Sequence, residues 1–126
     1  MKKIFCVLLF ILNVPTVSSQ NEIHKKVVEN FIIQFNNNDF EGIYQSFSPS
    51  MQKSRTKKHF FDFLSRVKRN SGALLKLELL EYIENKVKTA RGTYDGNFET
   101  VLATVRITVD IRGKITGLYI KRKDLI

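Results

Sequence analysis

The sequence predicts an α+β domain in which three N-terminal helices pack on one face of a curved four-stranded antiparallel sheet. Three observations predict it. Between Ile23 and Val67 the apolar residues recur at every third or fourth position, the period of a helix with one buried side. After Gly72 that period falls to two, the signature of strands with one buried face. Between the segments stand Asn36-Asn37-Asn38, Pro49, Asn70-Ser71-Gly72 and Arg112-Gly113-Lys114, which punctuate short connections. Helices followed by strands, rather than alternating with them, give separated layers.

The first helix spans Ile23 to Phe35, with Ile23, Val27, Val28, Phe31, Ile32 and Phe35 on one side; the asparagine run closes it. A short second helix starts behind Asn38 as N-cap, with Glu41 three residues on, carries Phe40, Ile43, Tyr44 and Phe47, and stops at Pro49. The third runs from about Thr56 to Arg69 and buries Phe60, Phe63, Leu64 and Val67, with Phe61 at its edge. Ala73 to Lys86 alternates and is assigned as a strand, followed by a second strand from Val87 to Tyr94. Asp95-Gly96 is read as the start of a hairpin turn. Phe98 to Ile111 is the clearest strand, with Val101, Ala103, Val105, Ile107, Val109 and Ile111 facing inward. Thr100, Leu102, Thr104, Arg106, Thr108 and Asp110 face outward. The last strand follows the Arg112-Gly113-Lys114 turn, from Ile115 to about Lys121, and puts Thr116, Leu118 and Ile120 on the outer face in this reading.

The 126 residues hold one core, and 43% hydrophobic with 26% charged residues excludes a disordered chain and a multi-span membrane protein. Lys2 and Lys3 precede an apolar run from Ile4 to Leu12, then Pro15 and small residues. This is the pattern of a cleaved secretory leader, with cleavage expected after Ser19. The run is shorter than a bilayer-spanning helix requires, so no membrane span is expected once residues 1–19 are removed. Removal also takes Cys6, the only cysteine, and two lysines, which lowers the net charge from +9 to +7. The expected compartment is periplasmic or extracellular, and residues 20–126 form a single domain stabilised without disulfides.

The order helix, Asn-Asp-Phe-Glu-Gly-Ile-Tyr (Asn38–Tyr44), helix closed by Gly72, Gly-Thr-Tyr (Gly92–Tyr94), long alternating strand and Arg-Gly-Lys-Ile-Thr-Gly-Leu (Arg112–Leu118) resembles a domain of unknown function in secreted bacterial proteins. That domain is of the kind found ahead of serine hydrolase or β-lactamase-type domains. It is similar to the cone-shaped superfamily named after nuclear transport factor two, which includes ketosteroid isomerases and polyketide cyclases. The resemblance implies a cavity between helices and sheet, and pairing of two copies through the outer sheet face. With Ile126 as the last residue, the expectation is a domain acting alone or with a partner in trans.

Few residues carry a chemical signal. Ser50-Met51-Gln52-Lys53 fits the Ser-x-x-Lys nucleophile pattern, but Ser54/Lys57 and Ser65/Lys68 repeat it and its companion motifs are missing. Acid–base catalysis would need an inward ionisable group, and the inward row of the clearest strand has none. That leaves Asp39 and Tyr44 from the second helix as the first catalytic candidates, with Tyr94 and Tyr119 from the strands behind them, each with a plain structural alternative as helix-start residue or core ring. Phe35, Tyr44, Phe47 and Tyr94 are the expected lining of an apolar ligand cavity. Lys53, Arg55, Lys57 and Lys58 cluster where cations oppose the helix dipole, which suggests a binder of envelope polyanions, though export disfavours nucleic acid. His24 and His59 each sit beside two lysines and read as solvated, so neither a metal nor a cofactor is expected. The leading expectation is an exported, non-catalytic binding or accessory domain that takes a small apolar ligand or a protein partner. Its alternatives are a small isomerase-, cyclase- or dehydratase-like enzyme and a polyanion binder.

Overall fold

The computed structural model describes residues 19–123, so the leader, apart from Ser19, lies outside the described residues. Among the described residues four helices come first: α1 (Gln20–Asn36), α2 (Phe40–Gln45), α3 (Pro49–Ser54) and α4 (Lys57–Ser71). Four strands follow: β1 (Leu74–Glu84), β2 (Thr89–Phe98), β3 (Leu102–Asp110) and β4 (Ile115–Arg122). They form one antiparallel sheet in the order β1-β2-β3-β4, a meander in which each strand pairs with the next.

The expected order of layers is present, with one helix more than expected. Pro49 starts a helix and does not end one: α2 already stops at Gln45, and Phe47, expected on that helix, bridges to Ile115 instead. Pro49 occupies the first turn of α3, where its missing N–H goes unmissed, and the Ser48 hydroxyl accepts from Met51 N at 3.2 Å. The N-cap of α2 is Asp39, not Asn38: its carboxylate accepts from Gly42 N at 3.0 Å, while Asn38 takes the left-handed conformation with φ 58°. Lys68 of α4 reaches the end of α1, where its ammonium donates to the Phe35 and Asn36 carbonyls and to Asn38 Oδ1. Those carbonyls have no partner within the helix, so the bond both caps α1 and ties it to α4.

In the sheet, Asp95-Gly96 does not turn. β2 continues to Phe98, because Gly96 and Phe98 keep the inward parity of Ala90, Gly92 and Tyr94, and the chain reverses at Glu99–Val101 instead. The inward row of β3 is as expected from Ala103 to Val109, all at most 3% exposed, whereas Ile111 is half-exposed in the following turn. There the Asp110 carboxylate accepts from the amides of Arg112 and Lys114, and Gly113 supplies φ 80°. Leu118 and Ile120 correct the outer-face reading of β4. They pair with Ile107 and Val105 and pack against the core, since the register shifts near Ile115 and moves Tyr119 outward.

One core joins the layers. Val28, Phe31 and Phe35 from α1, Ile43 from α2, Phe60 and Leu64 from α4 meet the inward rows of β2 and β3, with Leu74 and Ile115. Each large side chain buried this way contributes about 1.5–3 kcal/mol, offset by the entropy of ordering it.

Candidate functional site

The cavity that stands out is built between α1 and the first two strands. Along α1 the buried residues are His24, Val28, Phe31 and Phe35, a four–three–four spacing that lays an imidazole at the start of an otherwise apolar stripe. On β2 the residues beneath that imidazole are small, Ala90 and Gly92, so the helix can approach and the ring can lie against the sheet. Gly92 has no room for anything larger: an added Cβ would lie 2.5 Å from Tyr94 Oη and 2.6 Å from His24 Nε2.

His24 is only 2% exposed, which corrects the reading of it as a solvated surface residue. Lys25 and Lys26, the next two residues, are exposed, while the His24 ring is buried. Nε2 lies 2.9 Å from the Tyr94 hydroxyl in a buried hydrogen bond whose donor is set by the imidazole tautomer. The Tyr82 ring of β1 meets the imidazole edge-on at 5.3 Å, and its hydroxyl donates to Glu84 Oε2 at 2.9 Å. Nδ1 is buried and closes no hydrogen bond of normal geometry. Burial holds the His24 pKa below its ordinary 6.5, the Ala90 carbonyl working weakly the other way, so the ring is neutral at pH 7. Burial likewise pushes the Tyr94 phenol up to about 12, with Tyr82 adding to the effect. Tyr82 also rises to about 12, from burial first and then its bond to Glu84.

Above this pair opens a cavity of about 250 Å³ walled by Val28, Ile32, Leu77, Leu79 and Tyr82, with Asn21, Lys25 and Glu29 at the rim. Leu77 and Leu79 reach it because they pair with Gly96 and Tyr94 and share the inward face. The rim carboxylate, Glu29, is exposed. The site can hold an apolar group against a fixed imidazole–phenol pair.

Of the expected lining residues, Tyr94 alone is in this cavity. Phe35 and Phe47 are wholly buried elsewhere in the core, and half-buried Tyr44 packs on Phe47, Phe60 and Phe61 at ring distances of 6.0–6.5 Å. Asp39 is exposed, and its carboxylate is engaged as the α2 cap. In the basic cluster, Lys57 pairs with Glu41 at 2.5 Å and holds that carboxyl below its usual range, and Lys58 pairs with Asp62 at 2.7 Å. Lys53 and Arg55 are exposed and have no ion pair among the described residues. His59 is exposed, and among the described residues no three His, Cys, Asp or Glu side chains gather as a metal cluster. No helix among the described residues is long and apolar enough to cross a membrane. Sequence reasoning missed His24 and Tyr82; the spacing of His24 to Val28, Phe31 and Phe35 was the signal that could have found the first.

The family described as "Protein of unknown function (DUF3887)" matches residues 28–118, well over half of the 126-residue chain. That span begins one turn after His24 and takes in Val28, Leu77, Tyr82 and Tyr94. No curated protein and no solved structure matches the chain.

Proposed function

We propose that this chain, which belongs to the DUF3887 family, is an exported, non-catalytic binding domain whose cavity between α1 and the sheet takes a small, largely apolar ligand. The observation that carries the proposal is the His24–Tyr94 pair, bonded at 2.9 Å beneath a cavity of about 250 Å³ with aliphatic walls. Concave binding sites are mostly apolar with a few fixed polar groups, and this one has that composition. Aliphatic cavities of about 150 Å³ hold benzene, so there is room here for a substituted ring or a short branched chain.

Near neutrality the imidazole is neutral and the Tyr94 phenol, at about 12, stays protonated, so the pair offers an entering ligand an uncharged hydrogen-bonding floor. The Lys2–Ser19 leader pattern supports export, and kinship with the nuclear transport factor two-like superfamily is part of the same proposal. The outer sheet face, where Arg106 lies over the Tyr119 ring at 4.8 Å and half-exposed Leu102 shares the same face further along β3, is the place proposed for a second copy or accessory partner.

The test is a titration of p-cresol into the mature chain, followed by amide chemical shifts. Saturable shifts are expected at His24, Val28, Leu77 and Leu79. Leu79→Trp closes the mouth at a residue 53% exposed, so it should spare the fold while weakening binding about tenfold. Absence of localised shifts, or equal binding by Leu79→Trp, overturns the reading.

A further inference from the structure

A second hollow, of about 180 Å³, lies where α4 crosses β3 and β4. Its floor is apolar, made by Val67, Val101, Ala103 and Ile120, and its sides carry Arg66 from α4 and Arg122 from β4. Both arginines are exposed, and neither has an ion pair among the described residues. The neighbouring cation Lys123 is committed to Asp95. The carboxylate next in sequence to Thr100, Glu99, is committed elsewhere: it accepts from Ala73 N at 2.6 Å and lies against Gly72. Among the described residues, no acidic side chain lines the hollow.

The C-terminal carbonyls of α4 would repel an anion at this position, but Thr100 occupies them. Its hydroxyl donates to the Asn70 and Ser71 carbonyls at 3.2 Å each, and its N–H donates to Ser71 at 3.1 Å. Two guanidiniums from separate layers therefore overlook an apolar floor that no described acidic side chain lines; the carboxylate in electrostatic reach of Arg66, Asp62, stands one turn back on α4 and is bonded to Lys58. Guanidinium is charged at all relevant pH and presents a planar fork that matches a carboxylate.

We infer that this hollow binds a small amphipathic carboxylate, the head group between Arg66 and Arg122 and a short alkyl tail over Val67, Val101 and Ile120. The site is separate from the cavity over His24, so the two proposals stand or fall independently.

The experiment titrates butyrate, acetate and inorganic phosphate into the mature chain and into Arg66→Gln, Arg122→Gln and Lys53→Gln. Butyrate should shift the amides of Asn70, Ser71, Thr100 and Val101 and bind more tightly than acetate or phosphate. Each arginine variant should weaken it about fivefold, the scale of one partly exposed ion pair, and Lys53→Gln should leave it unchanged. Leu79→Trp should leave it unchanged too. Equal affinity for acetate and butyrate, tighter binding of phosphate, or unaltered binding by both arginine variants would overturn the inference.

Discussion

Gly92→Ala puts one methyl group into the hydrogen bond on which the proposed site rests. The new Cβ would lie 2.5 Å from Tyr94 Oη, 2.6 Å from His24 Nε2 and 2.7 Å from Tyr94 Cε1. Neither ring is a loose end that can swing aside, since Tyr94 is 6% and His24 2% exposed. The methyl must separate the two groups or push β2 from α1. Separation leaves a buried imidazole nitrogen unpaired, at a cost of about 1–3 kcal/mol. Overpacking adds about 1–3 kcal/mol, while the stiffer unfolded chain of alanine returns about 0.5–1 kcal/mol. The expected net loss is about 2–4 kcal/mol. Urea unfolding followed by circular dichroism should show the midpoint fall by about 1–3 M, for a slope of about 1.5 kcal/mol/M. In a Tyr94→Phe background the nearest clashing atom is gone, so Gly92→Ala should cost less there than in the natural chain. A Gly92→Ala midpoint equal to that of the natural chain, or strictly additive costs in the double variant, would refute the packing described for His24.

Acid should act through His24 before it acts through the carboxylates. An imidazole whose folded pKa lies below about 6.5 contributes stability above that pH, and the contribution is lost as pH falls because the unfolded chain takes the proton first. The urea midpoint should therefore drop between pH 6.5 and 5 and drop less in His24→Gln; Glu41 and Asp62, lowered from 4.5 and 3.8, act only further down. Asn36→Ala should cost about 2–3 kcal/mol in the same assay, because its side chain donates to Leu74 O at 2.9 Å and accepts from Leu74 N at 2.8 Å, joining α1 to β1. Asp39→Ala should cost only about 1 kcal/mol, as a cap does, and should leave p-cresol binding unchanged.

What was legible in the chain was periodicity. The α1 stripe and the β3 parity each repeat over enough residues that no other register buries them, and Asp110 to Lys114 carries its turn chemistry in the residues themselves. Short elements were not legible: α3 spans six residues with no buried side chain, and Pro49 suits the start of a helix as well as the end of one. Asp95-Gly96 matches a hairpin turn locally, yet Gly96 serves a different need, close passage of the Val105 side chain at 2.9 Å from where a Cβ would stand. Tertiary packing decided that case. Aromatic residues expected to line a cavity are not separable by pattern from core aromatics: Tyr94 borders the hollow beside α1, Phe35 and Phe47 are core, and half-buried Tyr44 packs against the core. His24 was misread from its lysine neighbours, because adjacent residues on a helix face different ways and only those three or four apart report on burial.

Methyl-resolved spectra under xenon pressure probe the hollow over His24 and Tyr94 without assuming any ligand. Xenon enters apolar cavities. The largest shifts should fall on the methyls of Val28, Ile32, Leu77 and Leu79, saturate with pressure and vanish in Leu79→Trp. Small shifts spread evenly over all methyls, or the same pattern in the blocked variant, would mean that the space is not a binding cavity.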